Sequence, residues 1–133
     1  AGHVVIEDRA VIGGCIGIHQ FVHIGGLAMV GGMTRVIRDI PPYSMVEGHP
    51  GRLRGLNRVG LQRSGLANRY EGRELKQLKE IWSLLYRSDV VMAEALVQAR
   101  SHELFPAADH LCSFLEASTA PGRRGPTPVL SHR

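Results

Sequence analysis

Aliphatic β-branched residues recur every six positions at the start of the chain, at Ile6, Ile12, Ile18, Ile24, Val30 and Val36. The column two residues earlier, Val4, Ala10, Ile16, Val22, Ala28 and Thr34, is small or β-branched throughout. Between the two lie Val5, Val11, Gly17, His23, Met29 and Arg35, which the alternation of an extended strand turns to the opposite face. Short strands and corners at a six-residue period predict a parallel β-helix with three strands to a coil and both apolar columns pointing inward. Residues 1–36 then make two coils, each climbing roughly 4.8 Å, with Ile6 under Ile24 and Ile12 under Val30. The position after each aliphatic reads Glu7, Gly13, His19, Gly25, Gly31 and Ile37, and its glycines predict the turn there.

Two such coils bury too little apolar surface to offset the entropy of ordering them, and solenoids generally need at least three repeats with caps. Ala1 opens in mid-pattern, so the chain is expected to be the C-terminal part of a longer protein. The coils, residues 1–42, are expected to end at Pro41-Pro42, because proline has no N–H for another rung. Residues 43–70 read as an extended connection punctuated by Gly48, Pro50, Gly51 and Gly55.

Beyond it the period changes from strand to helix. Leu75, Leu78, Ile81, Trp82 and Leu85 share one helical face, and the Glu/Lys-rich remainder is expected to face water. Ser88-Asp89 signals a second helix over about 90–100, and Pro106 suits the first turn of a third, on which Leu111, Phe114, Leu115 and Ser118 align. Residues 71–120 are thus a three-helix domain, and 121–133, rich in Pro, Gly, Ser and Arg, a disordered tail.

Composition adds bounds rather than chemistry. With 21% charged residues and no apolar run long enough to span a bilayer, the chain reads as soluble and cytoplasmic, without membrane insertion. Cys15 and Cys112 lack metal-ligand spacing and are expected to be free thiols. The net charge of +4 is mild and suggests no nucleic-acid partner. Much of it comes from Arg52, Arg54, Arg58, Arg63, Arg69 and Arg73, which suits phosphate or an acidic partner protein as well as a plain solvated surface.

The hexad register, Gly2-His3, Ile18-His19-Gln20-Phe21, Asp39-Ile40-Pro41-Pro42-Tyr43, Gly55-Leu56-Asn57 and Leu85-Tyr86-Arg87-Ser88 together resemble the acyl-[acyl-carrier-protein]:UDP-N-acetylglucosamine O-acyltransferase family. The resemblance covers residues 1 to about 118. It implies a left-handed parallel β-helix, against the usual right-handed crossover rule, followed by a helical domain in a homotrimer with active sites between subunits. The implied reaction moves a 3-hydroxyacyl group from the acyl carrier protein thioester to the 3-hydroxyl of UDP-N-acetylglucosamine, the first step of lipid A biosynthesis, without a cofactor. The family's general base is a histidine one coil before His3, a position this sequence does not contain, so the chain alone is expected to be inactive.

By the same resemblance Gly2 offers its backbone N–H to the oxyanion and His3 is an accessory histidine. His19 and Gln20 contact the nucleotide sugar, and Asn57 and Arg63 lie near the UDP portion. Met29 and Gly32 belong to the acyl groove, where the small Gly32 leaves room for a long donor. Val59 and Ser64 depart from the family, standing where some members carry an acid and a second arginine; Arg58 is the neighbouring cation that could replace the missing charge.

Three other readings compete. A zinc hydratase could draw on His3, His19 and His23, but these fall in different columns and do not form one convergent shell. A non-catalytic module that trimerises or holds acyl carrier protein fits the chain as it stands. The related UDP-sugar N-acyltransferase shares the hexads but not the His19-Gln20 segment with a three-helix tail.

Overall fold

A computed structural model describes residues 2–130; Ala1 and the last three residues of the tail lie outside the described part. Six two-residue strands open the chain: β1 (Val5–Ile6), β2 (Val11–Ile12), β3 (Gly17–Ile18), β4 (His23–Ile24), β5 (Met29–Val30) and β6 (Arg35–Val36). They pair in parallel as β1 with β4, β2 with β5 and β3 with β6, in the 18-residue register Val5↔His23, Val11↔Met29 and Gly17↔Arg35. Ile6 stacks on Ile24 and Ile12 on Val30, as the hexads predict.

The two coils differ in burial. Val22, Ile24, Ala28, Val30, Thr34 and Val36 of the upper coil are buried, whereas Ile6 is 48% exposed and Ile12 and Ile18 are only partly covered. The upper coil has neighbours on both sides, and the described part of the lower coil has a neighbour on one side only.

The corners correct the expected turn position. Left-handed φ values of 56–65° occur at His3, Arg9, Cys15, Phe21, Leu27 and Met33, every sixth residue and never at glycine. Each residue after an aliphatic instead continues the ladder, as in Glu7 N–H to Ile24 O, Gly13 N–H to Val30 O and His19 N–H to Val36 O. Glycine is required there for proximity: a Cβ on Gly13 would meet Gly32 N at 2.8 Å, and one on Gly25 would meet Pro42 N at 2.3 Å. Helical and strand propensity carry no signal for such contacts between residues 17 or more apart.

Nor does Pro41-Pro42 end the stacking. The ladder needs no proline donor, because Gly25 N–H donates to Ile40 O and Ile40 N–H to His23 O. β7 (Ser44–Gly48) then pairs in parallel with β5, Met29↔Met45, shortening the offset from 18 to 16 residues. β8 (Gly51–Leu56) returns antiparallel to β7. The segment expected to be an extended connection is therefore a hairpin seated on one coil face, followed by α1 (Arg58–Arg63) and an irregular turn through residues 66–72. Its alternate residues Val46 and Leu53 are fully buried, which is the strand period obscured in sequence by the flanking glycines.

Three longer helices follow: α2 (Arg73–Tyr86), α3 (Met92–Arg100) and α4 (Pro106–Ser118). α2 buries Leu78, Ile81, Trp82 and Leu85 against α3 and α4. α3 begins two residues later than expected; the Ser88 hydroxyl donates to Leu84 O and accepts from Val90 N–H, so it closes the preceding turn instead of capping α3. Glu74 also departs from expectation. Its side chain is fully buried and accepts hydrogen bonds from Arg69 Nε at 2.5 Å and from Ala107 N–H at 2.8 Å. Gln77 accepts from Phe105 N–H at 2.8 Å. Two polar side chains of α2 thus satisfy free donors at the start of α4, whose own N-cap residue, Phe105, has no side-chain acceptor.

The tail is ordered as far as residue 130. Thr127 is buried, its N–H donates to Asp39 O, and Leu53 N–H donates to Pro128 O. Backbone bridges join Asp39 to Pro126 and Leu53 to Val129. A tail without apolar periodicity is held here by main-chain hydrogen bonds, which composition does not record.

Gly25→Ala is expected to lower stability by about 1–3 kcal/mol through overpacking against Pro42, while Gly14→Ala, with open space around the new methyl, stays within about 0.5 kcal/mol; paired thermal melts compare them. Burial raises the Glu74 pKa, but the Arg69 and Ala107 hydrogen bonds and the Arg69 charge outweigh it, leaving the net value below the ordinary 4.5. A depressed acid contributes its stability above the unfolded-state pKa and loses it as pH falls through the folded value. Glu74→Gln should therefore cost about 2 kcal/mol at neutral pH, and the deficit should shrink below pH 4 in urea titrations taken across that range.

Candidate functional site

The stacked register sorts the candidate residues by corner. Gly2, His3, Gln20 and Phe21 share one corner, where Phe21 N–H donates to Gly2 O and the His3 ring stacks on Phe21 at 5.1 Å. His19 precedes them on the strand end. Its Nδ1 lies 3.1 Å from Gln20 O and its Nε2 2.9 Å from Arg124 Nη2 of the tail. An N–H on Nδ1 donating to the carbonyl leaves Nε2 as the acceptor for the guanidinium, which specifies the neutral tautomer.

Arg9 and Leu27 lie at the next corner, beside α1. Asn57, buried at 3% exposure, caps α1 by accepting from Gly60 N–H at 3.1 Å, while its Nδ2 donates to Leu27 O at 2.9 Å. Both ends of its amide are engaged within the chain, so it ties α1 to the coil. A cleft of about 410 Å³ opens beside it, with Met29, Asn57 and Arg63 joined by Val59, Ser64 and Arg9. Met29 lies 28 residues from Asn57 in sequence, and the fold brings them to one surface.

The cleft has an apolar wall of Val11, Leu27, Met29 and Val59 and a rim with two guanidiniums, Arg9 and Arg63. Arg58, the expected replacement cation, does not line it; Arg9 does. The 18-residue register was the available signal, since it stacks Arg9 directly below Leu27. Ser64 donates to Leu61 O and accepts from Leu66 N–H, closing α1. Gly32 stands apart at the third corner, where an added Cβ would lie 3.6 Å from Gly14 O, and it does not line this cleft.

His23 belongs to neither group. Its Nε2 meets Glu7 at 2.8 Å, its backbone N–H donates to Asp39 at 2.8 Å, and its ring packs edge-on to Phe114 of α4. The other oxygen of Glu7, Oε1, accepts from Gly26 N–H and also lies 2.8 Å from His110 Nε2 of α4. Burial raises the Glu7 pKa, but the His110 hydrogen bond, the Gly26 N–H and the charges of the two histidines bring the net value down. Asp39 joins Ser118 of α4 at 2.7 Å and Arg123 of the tail at 2.5 Å. Sequence reading placed His23 on an outward face without its partners, because Glu7 and Asp39 lie 16 residues away on either side. Cys15 is exposed and Cys112 buried, both free, and burial raises the Cys112 thiol pKa.

Stacked hexad coils, beside which a cleft joins an apolar wall to two arginines, define a hexad-repeat protein. The model of the family described as UDP N-acetylglucosamine O-acyltransferase, domain 2, matches residues 39–127, and the chain belongs to that family. It is 48% identical over 129 residues to the acyl-[acyl-carrier-protein]–UDP-N-acetylglucosamine O-acyltransferase of Gloeothece citriformis and 49% identical over 129 residues to that of Synechocystis. Each alignment covers 96% of this chain and 45% of the relative, so the chain spans less than half the length of these proteins. Among solved structures, the Arabidopsis UDP-N-acetylglucosamine acyltransferase superposes with a TM-score of 0.82 at 32% identity, over 94% of this chain and 44% of that one. The Moraxella catarrhalis UDP-N-acetylglucosamine O-acyltransferase gives 0.82 at 33%, over 96% and 47%. Among the described residues no helix is long and apolar enough to cross a membrane.

Asn57→Ala removes a helix cap and leaves Leu27 O without its donor, and is expected to cost about 2 kcal/mol. Arg63→Ala removes an exposed guanidinium on the cleft rim and should leave the unfolding midpoint within about 0.5 kcal/mol of the parent. Urea denaturation of both variants separates the residue that builds the cleft from the one left available to a ligand.

Proposed function

We propose that the protein containing this chain transfers a 3-hydroxyacyl group from acyl carrier protein to the 3-hydroxyl of UDP-N-acetylglucosamine, the first step of lipid A biosynthesis. The observation that carries this reading is the cleft that unites Met29, Asn57 and Arg63, with an apolar wall beside two guanidiniums. An acyl chain suits the wall, and the diphosphate suits the arginines. In the reaction the sugar hydroxyl gives up its proton to a general base and attacks the thioester carbonyl. The backbone N–H of Gly2 meets the developing oxyanion, the carbon–sulfur bond breaks, and the thiol leaves. His3 positions substrate beside it. The base belongs to a coil outside this chain, so the 133 residues alone are expected to turn over negligibly.

In this reading the coils over 1–42 are the end of a left-handed parallel β-helix, residues 71–120 form the helical domain, and the protein is a cytoplasmic homotrimer. The two corners bearing the candidate residues support the trimer: Gly2, His3, His19 and Gln20 stand at one, Asn57 and Arg63 beside another, so sites between neighbouring copies would draw one group from each. Gly32 at the third corner then meets the acyl chain through the same association.

The test is an acyl-transfer assay on the full-length protein with UDP-N-acetylglucosamine and 3-hydroxyacyl carrier proteins of graded length. Arg63→Ala and His19→Ala should each raise KM for the nucleotide sugar about tenfold, the equivalent of roughly 1.4 kcal/mol. Gly32→Met should shift the preferred donor to shorter chains. Absence of acyl transfer, or indifference to all three changes, would overturn the proposal.

A further inference from the structure

Glu7 is a meeting point of three parts of the chain. Its Oε2 lies 2.8 Å from Nε2 of His23 on the upper coil, and its Oε1 lies 2.8 Å from Nε2 of His110 on α4. Oε1 also accepts from Gly26 N–H at 2.8 Å, which fixes the carboxylate against the upper coil. The His110 contact spans 103 residues and joins α4 to the lower coil, whereas Ser118 joins the same helix to Asp39 beyond the upper coil. The side chains are 23% exposed at Glu7, 33% at His23 and 44% at His110, so protons reach all three from solvent.

We infer that Glu7, His23 and His110 form a pH-dependent clasp that holds α4 to the lower coil more firmly when the histidines are protonated. A neutral imidazole donates to the carboxylate only in the tautomer with its proton on Nε2, whereas the imidazolium carries that proton in every case and adds a charge. Histidine is the side chain whose charge changes between about pH 5 and 8. Asp8 lines the opening shared by Glu7 and His110, and Asp39 and Arg123 line the one shared by all three clasp residues. Three carboxylates there face one guanidinium, and two imidazoliums bring the cluster to electrical balance. Tyr43 presents its ring edge to His110 and, with its pKa pushed up to about 12 chiefly by burial, brings no charge in this range. On α4 itself, Asp109 is engaged by Arg100, and burial raises the Cys112 thiol. Glu7 keeps its charge, because the His110 and Gly26 hydrogen bonds and the two histidine charges outweigh burial and hold its pKa below the ordinary 4.5. A lowered acid contributes above its unfolded-state value and loses that contribution as pH falls through the folded one, so Glu7 sets the acid limit of the clasp and the histidines its alkaline limit.

Hydrogen–deuterium exchange on the full-length protein reads the clasp without acyl transfer, so the clasp stands or falls separately from the proposed reaction. Exchange of a peptide covering residues 106–118 is followed at about pH 6 and about pH 8 and referred to the intrinsic rate at each pH. Partial exposure screens the pairs, so protection in the parent should be about threefold higher at the lower pH. That gain should fall by about half or more in Glu7→Gln and in His110→Gln, each of which removes a charge from the clasp. Glutamine at 110 keeps a neutral donor in place of the imidazole, so a contact that is only structural would leave the pH profile unchanged. Circular dichroism at the higher pH checks both folds, and His110, exposed on α4, supplies the test even where the Glu7 variant is destabilised. Equal protection at the two pH values in the parent, or an undiminished gain in either folded variant, overturns the clasp.

Discussion

The candidate residues on the coils are placed by the main-chain ladder between them. Because Val5 pairs with His23 and Val11 with Met29, each position is held beside the one 18 residues on, and the corners align into three columns. A parallel ladder can sustain this only where backbones approach closely. Gly13 and Gly25 mark two such places, since a side chain at either would enter the backbone of Gly32 or Pro42. The corners accept left-handed φ at six ordinary residues because consecutive rungs hold both sides of each turn. Local preference yields to the ladder throughout the coils.

A different constraint joins coil to helices. Asp39 lies at the point where the coil gives way to the hairpin, and its carboxylate meets the His23 backbone, the Ser118 hydroxyl and the Arg123 guanidinium. Its own backbone exchanges hydrogen bonds with Gly125 and Thr127. Coil, last helix and tail are therefore tied at one buried acid whose polar valences are filled, which is the condition under which a buried charge is tolerated. Glu74 repeats the arrangement at the far end of α4, satisfied by Arg69 and Ala107.

The periodic parts of this architecture were legible in sequence, and the contacts between them were not. Ile6 under Ile24 follows from a count of six, and Leu78, Ile81, Trp82 and Leu85 follow from the helical period. Tail order does not, because Thr127 is held by Asp39 backbone groups and any residue type offers those groups. Burial of Glu74 was hidden for a similar reason, since its acceptors' partners sit five and 33 residues away. In the candidate site, resemblance named Asn57 and Arg63 together, but their physical roles diverge: one amide is consumed in holding α1 to Leu27, and one guanidinium remains exposed on the rim.

That divergence bears on how the nucleotide sugar of the proposed function would be held. An amide locked to both Gly60 N–H and Leu27 O has few valences left, so its contribution to a ligand would be the shape of the cleft wall. Charge then has to come from side chains that are free to turn, and around this cleft those are Arg9 and Arg63, approaching from the coil corner and from α1. Arg9 sits 54 residues before Arg63 and one rung below Leu27, so its place on the rim depends on the ladder alone. Ser64 closes the helix, while the stacked register brings Arg9 to the rim from another part of the chain, so the cleft has two arginines with only one of them on α1.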